Sequence, residues 1–249
     1  MYIVSRMLKP VSHEALQQVQ KEHSVRLPSA YQRWLHQYGE GTYSGWMNIQ
    51  RPDYEVLKPF ADYDLWEHTD ETVISQRQLR ECISIGSSVD GDFLAVHADV
   101  NGLIWLPRHD EQITVWPSDD VSFADILDRI YCGYYRRDEP FSPAYFEPWN
   151  EERQHIFYHF TGKENGISMK EVADLCQSHF SWDLVIDNEY TCKLFSTMIG
   201  GYVRFNMASE REIVLFFEEH NYPNEAQEAQ RQVQEIQHFL HAHHCTALK

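Results

Sequence analysis

Five residues close together near the end of the sequence have side chains able to hold a borderline or soft cation: His238 and His241 lie one helical turn apart, and His243, His244 and Cys245 follow closely. Imidazole and thiolate are the donors that zinc or nickel select. Two effects weigh against a site. Histidine is favoured in the last turn of a helix by the negative end of the helix dipole, and a fraying segment orders ligands poorly. No metal is expected. Paired carboxylates are the second candidate chemistry, with Asp90 and Asp92 flanking Gly91 and Asp119 beside Asp120. General acid and base work needs a desolvated pair with separated pKa values, whereas Asp around Gly is the composition of a turn. No Ser or Cys sits in a G-x-S-x-G elbow or another activating context. Phosphate-loop and dinucleotide fingerprints are absent. The expectation is a non-catalytic protein without a cofactor.

Cys82, Cys132, Cys176, Cys192 and Cys245 are odd in number, widely spaced and form no C-x-x-C pair. Neither a disulfide framework nor a zinc ribbon is suggested, and a reducing cytosol fits. Met1 to Pro10 lacks the apolar core and cleavage site of a signal peptide, and no run approaches the roughly 18 apolar residues of a membrane span. A soluble, cytoplasmic protein is expected.

The remaining chemistry is recognition. The formal charge is −17, which repels phosphate backbones and anionic lipid. Direct nucleic-acid and membrane binding are not expected. An acidic surface steers a basic partner instead, and nuclease toxins are basic because they grip nucleic acid; the same charge also serves solubility. One segment, GTYSGWMNIQRPDYEVLKPFADYDLWEHTDE, sets Asp53, Glu55, Asp62, Asp64, Glu67, Asp70 and Glu71 beside Tyr63 and Trp66. Aromatic anchors among selecting charges suit an interface, and a solvated loop can have the same composition.

The elements that position these residues fall into two groups. Length alone favours two domains. Ser12 can cap a helix over HEALQQVQKEH, and Leu27-Pro28 restarts one with Pro28 in its first turn and a Tyr31, Trp34, Leu35, Tyr38 stripe that reads as core. Residues 82–116 read as an antiparallel meander, CISIG, FLAVHAD, LIWLP and QITVW, with a turn at Asn101-Gly102. Ser122 can cap an amphipathic helix over 121–130. Pro140, Pro143 and Pro148 mark 139–150 as a linker whose aromatics must pack along a domain. HIFYHF then reads as a strand, Ser168 to His179 as a helix, up to three of four candidate segments between 181 and 219 as strands, and Glu225 to Ala242 as a last helix. The predicted domains are 1–138, the linker 139–150, and a smaller α+β domain over 151–249.

Two blocks of the first domain carry a family likeness. PVSHEALQQVQKEHSVRLPSAYQRWLHQYGEGTYSGWMNI resembles the opening of the SUKH superfamily: a first helix, an L-P step, an aromatic-rich helix and a Gly-rich exit into a strand. ISIGSSVDGDFLAVHADVNGLIWLPRHDEQITVWPSDDVSFADIL is similar to that family's G-D hairpin, following strands and closing helix, with Gly91-Asp92 at the G-D position. The likeness covers about residues 10–132 and rests mainly on Leu27, Pro28, Tyr31, Leu35, Gly39 and Gly91, which serve turns and packing. It implies an α+β fold, a mostly antiparallel sheet flanked by helices. It also implies a role: bacterial members are for the most part inferred to be immunity proteins against toxins, and fungal members regulate cell-wall assembly as scaffolds or signalling adaptors. Joined to the acidic surface, it points to a cognate, basic protein toxin as partner. The expected anchors are Trp46, Tyr63, Trp66 and Trp116, with Asp62, Asp64, Glu67, Asp70, Glu71, Asp119 and Asp120 supplying charge.

Overall fold

The computed structural model describes residues 1–63, 65–69, 72–118, 121–162, 166–218 and 223–248. The chain opens on a two-residue strand, β1 (Tyr2–Ile3). It divides into two compact units, Leu8–Trp149 and Asn150–Lys249, the latter joined by Tyr2–Met7.

In the first unit, Ser12 caps α1 (His13–Glu22) by accepting a hydrogen bond from the Ala15 amide at 3.2 Å. The second helix, α2 (Ser29–Gln37), follows at once, with Pro28 one position earlier than the sequence predicts, at the N-cap itself. There the backbone is extended and proline's missing N–H costs nothing. Tyr31, Trp34 and Leu35 are buried as the stripe predicts. Gly39 ends the helix at φ +77°, and a Cβ there would lie 2.2 Å from the Lys9 carbonyl oxygen, so only glycine fits.

Seven antiparallel strands follow: β2 (Gly41–Tyr43), β3 (Met47–Asp53), β4 (Ile83–Ser88), β5 (Phe93–Val96), β6 (Leu103–Leu106), β7 (Thr114–Trp116) and β8 (Tyr145–Pro148), ordered β8-β2-β3-β4-β5-β6-β7. The meander is therefore β4 to β7. Strand β8 comes from the stretch where the prolines predict a linker. Tyr145 and Phe146 are buried there, and Phe146 pairs with Tyr43, because aromatic burial outweighs proline's missing donor at the strand's last position.

The central strands are apolar on both faces, as sheets covered on both sides require. On one face Ala95, Ile104 and Leu106 meet Leu57, Trp66, Ile74 and Leu79, carried by a 3-10 turn (Lys58–Asp62), α3 (Gln76–Leu79) and the chain around them. On the other, Trp105 meets Tyr134 of α4 (Phe123–Tyr134). Ser122 and Asp125 form a reciprocal capping box for α4, which runs past the predicted 130 to Tyr134. Its penultimate residue, Gly133, leaves room for Trp116, whose ring tip would sit 2.5 Å from an added Cβ.

The second unit contains β9 (Arg153–Phe160), α5 (Met169–His179), β10 (Leu184–Asp187), β11 (Thr191–Ser196), β12 (Gly201–Asn206), β13 (Glu212–Glu218), α6 (Pro223–Ala242) and β14 (Cys245–Ala247). They build an antiparallel sheet ordered β10-β11-β12-β13-β9-β14. All four candidate segments between 181 and 219 become strands, one more than the sequence predicts. The connections are tight enough to allow it. Asn188 accepts from the amides of Tyr190 and Thr191 at 2.9 and 3.0 Å, and Asn206 accepts from Ser209, local turns that Asn side chains stabilise. Tyr158, Leu194, Val203, Phe205, Ile213 and Leu215 pack on Val172 and Cys176 of α5 and on Ile236 and Leu240 of α6. The opening segment belongs here too: Tyr2 Oη lies 2.9 Å from Thr197 Oγ1, and Ser5 and Asn150 both donate to the buried Glu218 carboxylate. The fold is thus α+β with two mostly antiparallel sheets. Among the described residues no helix is long and apolar enough to cross a membrane.

Candidate partner-binding site

The D-G-D sequence at 90–92 is where the first unit's surface is organised. Gly91 takes φ +91°, which turns the chain so that Asp90 stays exposed while Asp92 is fully buried. Its carboxylate accepts from Ser88 Oγ, from Tyr135 Oη at 2.9 Å and from the Arg108 amide at 2.8 Å. The Ser88 hydroxyl oxygen in turn accepts from the amides of Asp90 and Asp92, both at 3.1 Å. One buried carboxylate therefore joins the β4–β5 hairpin, the exit of β6 and the end of α4. A buried acid is tolerated only when hydrogen-bonded in this way. Burial, reinforced by the Asp92 charge, pushes the Tyr135 phenol well above its ordinary pKa, so it acts as a donor.

The latch fixes Pro107-Arg108, and Pro107 fixes the next layer. Trp66 Nε1 donates to the Pro107 carbonyl oxygen at 2.7 Å. Phe60 lies with its ring centroid 5.2 Å from Phe93 and 6.3 Å from Trp66. Phe60, Leu65, Trp66, Phe93 and Pro107 thus wall a depression of about 240 Å³, with Gly91 and Arg108 closing one side. The Arg108 stem runs along Gly91, its Cγ 3.6 Å from where a Cβ would stand. Tyr63 lies nearby in sequence and is 61 % exposed. Asp62 is exposed and pairs with Arg80. Glu67 is exposed, and its amide donates to the Glu111 carbonyl oxygen at 2.9 Å.

The expected anchors divide. Tyr63 is presented to solvent. Trp66 is 4 % exposed and acts as a wall, because its ring packs onto the sheet in one cluster with Leu57, Ile74 and Leu79. Trp46 is 5 % exposed, packed among Trp105, Tyr131 and Tyr135, so it is a core residue and offers no face to a partner. Its position directly before β3 places it on the sheet's helix-covered side. Trp116 is half-buried against Gly133, with Nε1 donating to Thr114. Asp64, Asp70, Glu71, Asp119 and Asp120 lie outside the described residues. Phe60, Leu65, Phe93 and Arg108 were not among the expected site residues. Single apolar residues in a loop carry no periodic signal, and only the D-G-D turn, which brings Phe93 and Arg108 together, could have hinted at them.

Two of the histidines near the end of α6 are engaged by rings and backbone. His241 packs edge-on to Tyr158, and His243 stacks on Phe239 at 4.1 Å while its Nδ1 lies 2.8 Å from the Phe239 carbonyl oxygen. Cys245 is buried in β14 and donates to the His243 carbonyl oxygen. Among the described residues no three His, Cys, Asp or Glu side chains converge as a metal site. The sequence predicts a helix end there; the chain turns at His243-His244 and pairs with β9, which separates Cys245 from the helical histidines.

The SMI1 / KNR4 family (SUKH-1) sequence model matches residues 10–129, a span inside the first unit that runs from the entry to α1 into α4. No curated protein and no solved structure matches the chain. Both sequence blocks fall on the helices, hairpin and meander just described, and the match supports SUKH superfamily membership for this stretch of the first unit.

Proposed function

We propose that this chain is an immunity protein that binds a cognate protein toxin in a stoichiometric complex and blocks it without chemistry of its own. The observation that carries this reading is the family membership of residues 10–129, a family in which immunity and related regulatory roles prevail. The formal charge of −17 supports a basic partner, of which a nuclease-type toxin is the leading example. As partner contacts this reading takes Tyr63 as an exposed aromatic and Asp62 and Glu67 as charges, while Trp116, held against Gly133 of α4, lies on the other side of the sheet. The regulatory adaptor role of the fungal relatives is the alternative.

The test is survival. Cells expressing the toxin-like product of a neighbouring gene are compared with and without this chain, and the two proteins are then co-purified. Rescue with a stoichiometric complex is expected. Neither rescue nor complex would transfer the reading to a regulatory adaptor.

A further inference from the structure

The depression walled by Phe60, Leu65, Trp66, Phe93 and Pro107 has a size and a rim that select its occupant. At about 240 Å³ it falls below the roughly 300–1,000 Å³ of small-molecule pockets, and it suits one side chain. Its walls are apolar and preorganised, since Trp66 is held by Pro107 and Pro107-Arg108 by the Asp92 latch. A rigid apolar socket is where interface anchors gain most, because burial is not offset by ordering the socket.

The surroundings are acidic. Exposed carboxylates stand next to the lining residues along the chain: Asp62 after Phe60, Glu67 after Trp66, Asp90 before Gly91, and Asp110 and Glu111 after Arg108. The Glu67–Glu111 backbone bond ties two of these segments together. Arg80 is already paired with Asp62, which leaves Arg108 as the lining cation. A bare apolar residue would fill the socket, but its flanks meet a negative field; an acidic segment is repelled and a basic one drawn in.

We infer that this socket takes one large apolar side chain, aromatic or leucine-like, carried on a Lys/Arg-rich segment of a partner protein. This rests on the proposed role as a protein-binding immunity protein and specifies where and by what chemistry the partner is gripped.

The probes are synthetic dye-labelled peptides, acetyl-KKFKK-amide, acetyl-KKAKK-amide and acetyl-EEFEE-amide, titrated with the full chain by fluorescence anisotropy. The first should bind at least about tenfold more tightly than either of the others, one decade being about 1.4 kcal/mol. Leu65→Asp, at a partly exposed wall position, should abolish the preference for KKFKK over KKAKK, and the surface pair Glu67→Lys/Glu111→Lys should abolish the preference for KKFKK over EEFEE, each with the thermal transition unchanged. Equal affinity for all three peptides, or a preference for KKFKK over KKAKK that survives Leu65→Asp, overturns the inference. A toxin complex that forms undiminished with Leu65→Asp overturns the socket while leaving the immunity role standing. Peptide preference without any toxin complex does the reverse.

Discussion

Removing the Asp92 carboxylate should unfasten the first unit from within. Asp92→Ala leaves three donors without their acceptor: Ser88 Oγ, Tyr135 Oη and the Arg108 amide. An unsatisfied buried group costs about 1–3 kcal/mol, and bonds to a charged partner sit at the upper end. Tyr135 is half-buried and Ser88 can reorient, so the sum is less than three full penalties, about 3–5 kcal/mol. Asp92→Asn keeps one carbonyl oxygen to accept and adds an N–H that must find a partner, giving about 1–3 kcal/mol. Tyr135→Phe deletes a single donor and keeps the edge-to-face contact with Trp46, for about 1–2 kcal/mol. Urea unfolding followed by tryptophan fluorescence reads the relevant unit, because Trp182 is the lone tryptophan after residue 149. With slopes of about 1–3 kcal/mol per molar urea, the Ala variant should lower the midpoint by roughly 2 M. The order Ala, then Asn, then Tyr135→Phe is the signature of a shared acceptor. An Ala variant within about 1 kcal/mol of the parent, or a Tyr135→Phe change as costly as Ala, would refute the latch.

Three further outcomes are expected. Gly133→Ala should destabilise the first unit by about 1–3 kcal/mol, since a Cβ collides with the Trp116 ring, although alanine is the better helix former by about 1 kcal/mol; a stabilised variant in the same urea assay would show that Trp116 moves freely. Asp128 has its pKa raised by burial and by Asp125, against the lowering effect of the Tyr43 hydrogen bond. Its contribution is therefore present below the ordinary carboxylate pKa and lost as pH rises through the raised folded value. Asp128→Asn, which still accepts from Tyr43, should match the parent in acid and exceed it at neutral pH; a pH-independent difference in thermal midpoint would contradict this. Burial holds the thiols of Cys82, Cys192 and Cys245 up at about 12 and that of Cys176 higher still, so brief native alkylation should modify Cys132 first, and mass spectrometry finding early adducts on the others would contradict the packing.

Much of the fold is legible in the sequence where a physical rule is local. Ser12, Ser122 and Ser168 announce their helices because each side chain answers an amide of the first turn. The meander is legible because its strands are short apolar runs between turn residues. What the rules miss depends on distant partners. Strand β8 hides among prolines and exists because β2 offers it an edge. Strand β14 hides behind histidines and exists because β9 does. Of the candidate site residues, Asp62, Tyr63 and Glu67 are exposed, but Trp46 and Trp66 turn inward, since composition does not tell which side of a tryptophan the chain will cover. Asp92 reads as half of a turn, and its burial follows from Tyr135, far along the chain.

The most direct test of stoichiometric, non-catalytic neutralisation is titration of the purified cognate toxin's activity with the purified chain. The account predicts a linear loss of activity that ends at molar equivalence, independent of preincubation time. Time-dependent inactivation by substoichiometric amounts, or full toxin activity at a large excess, would contradict it.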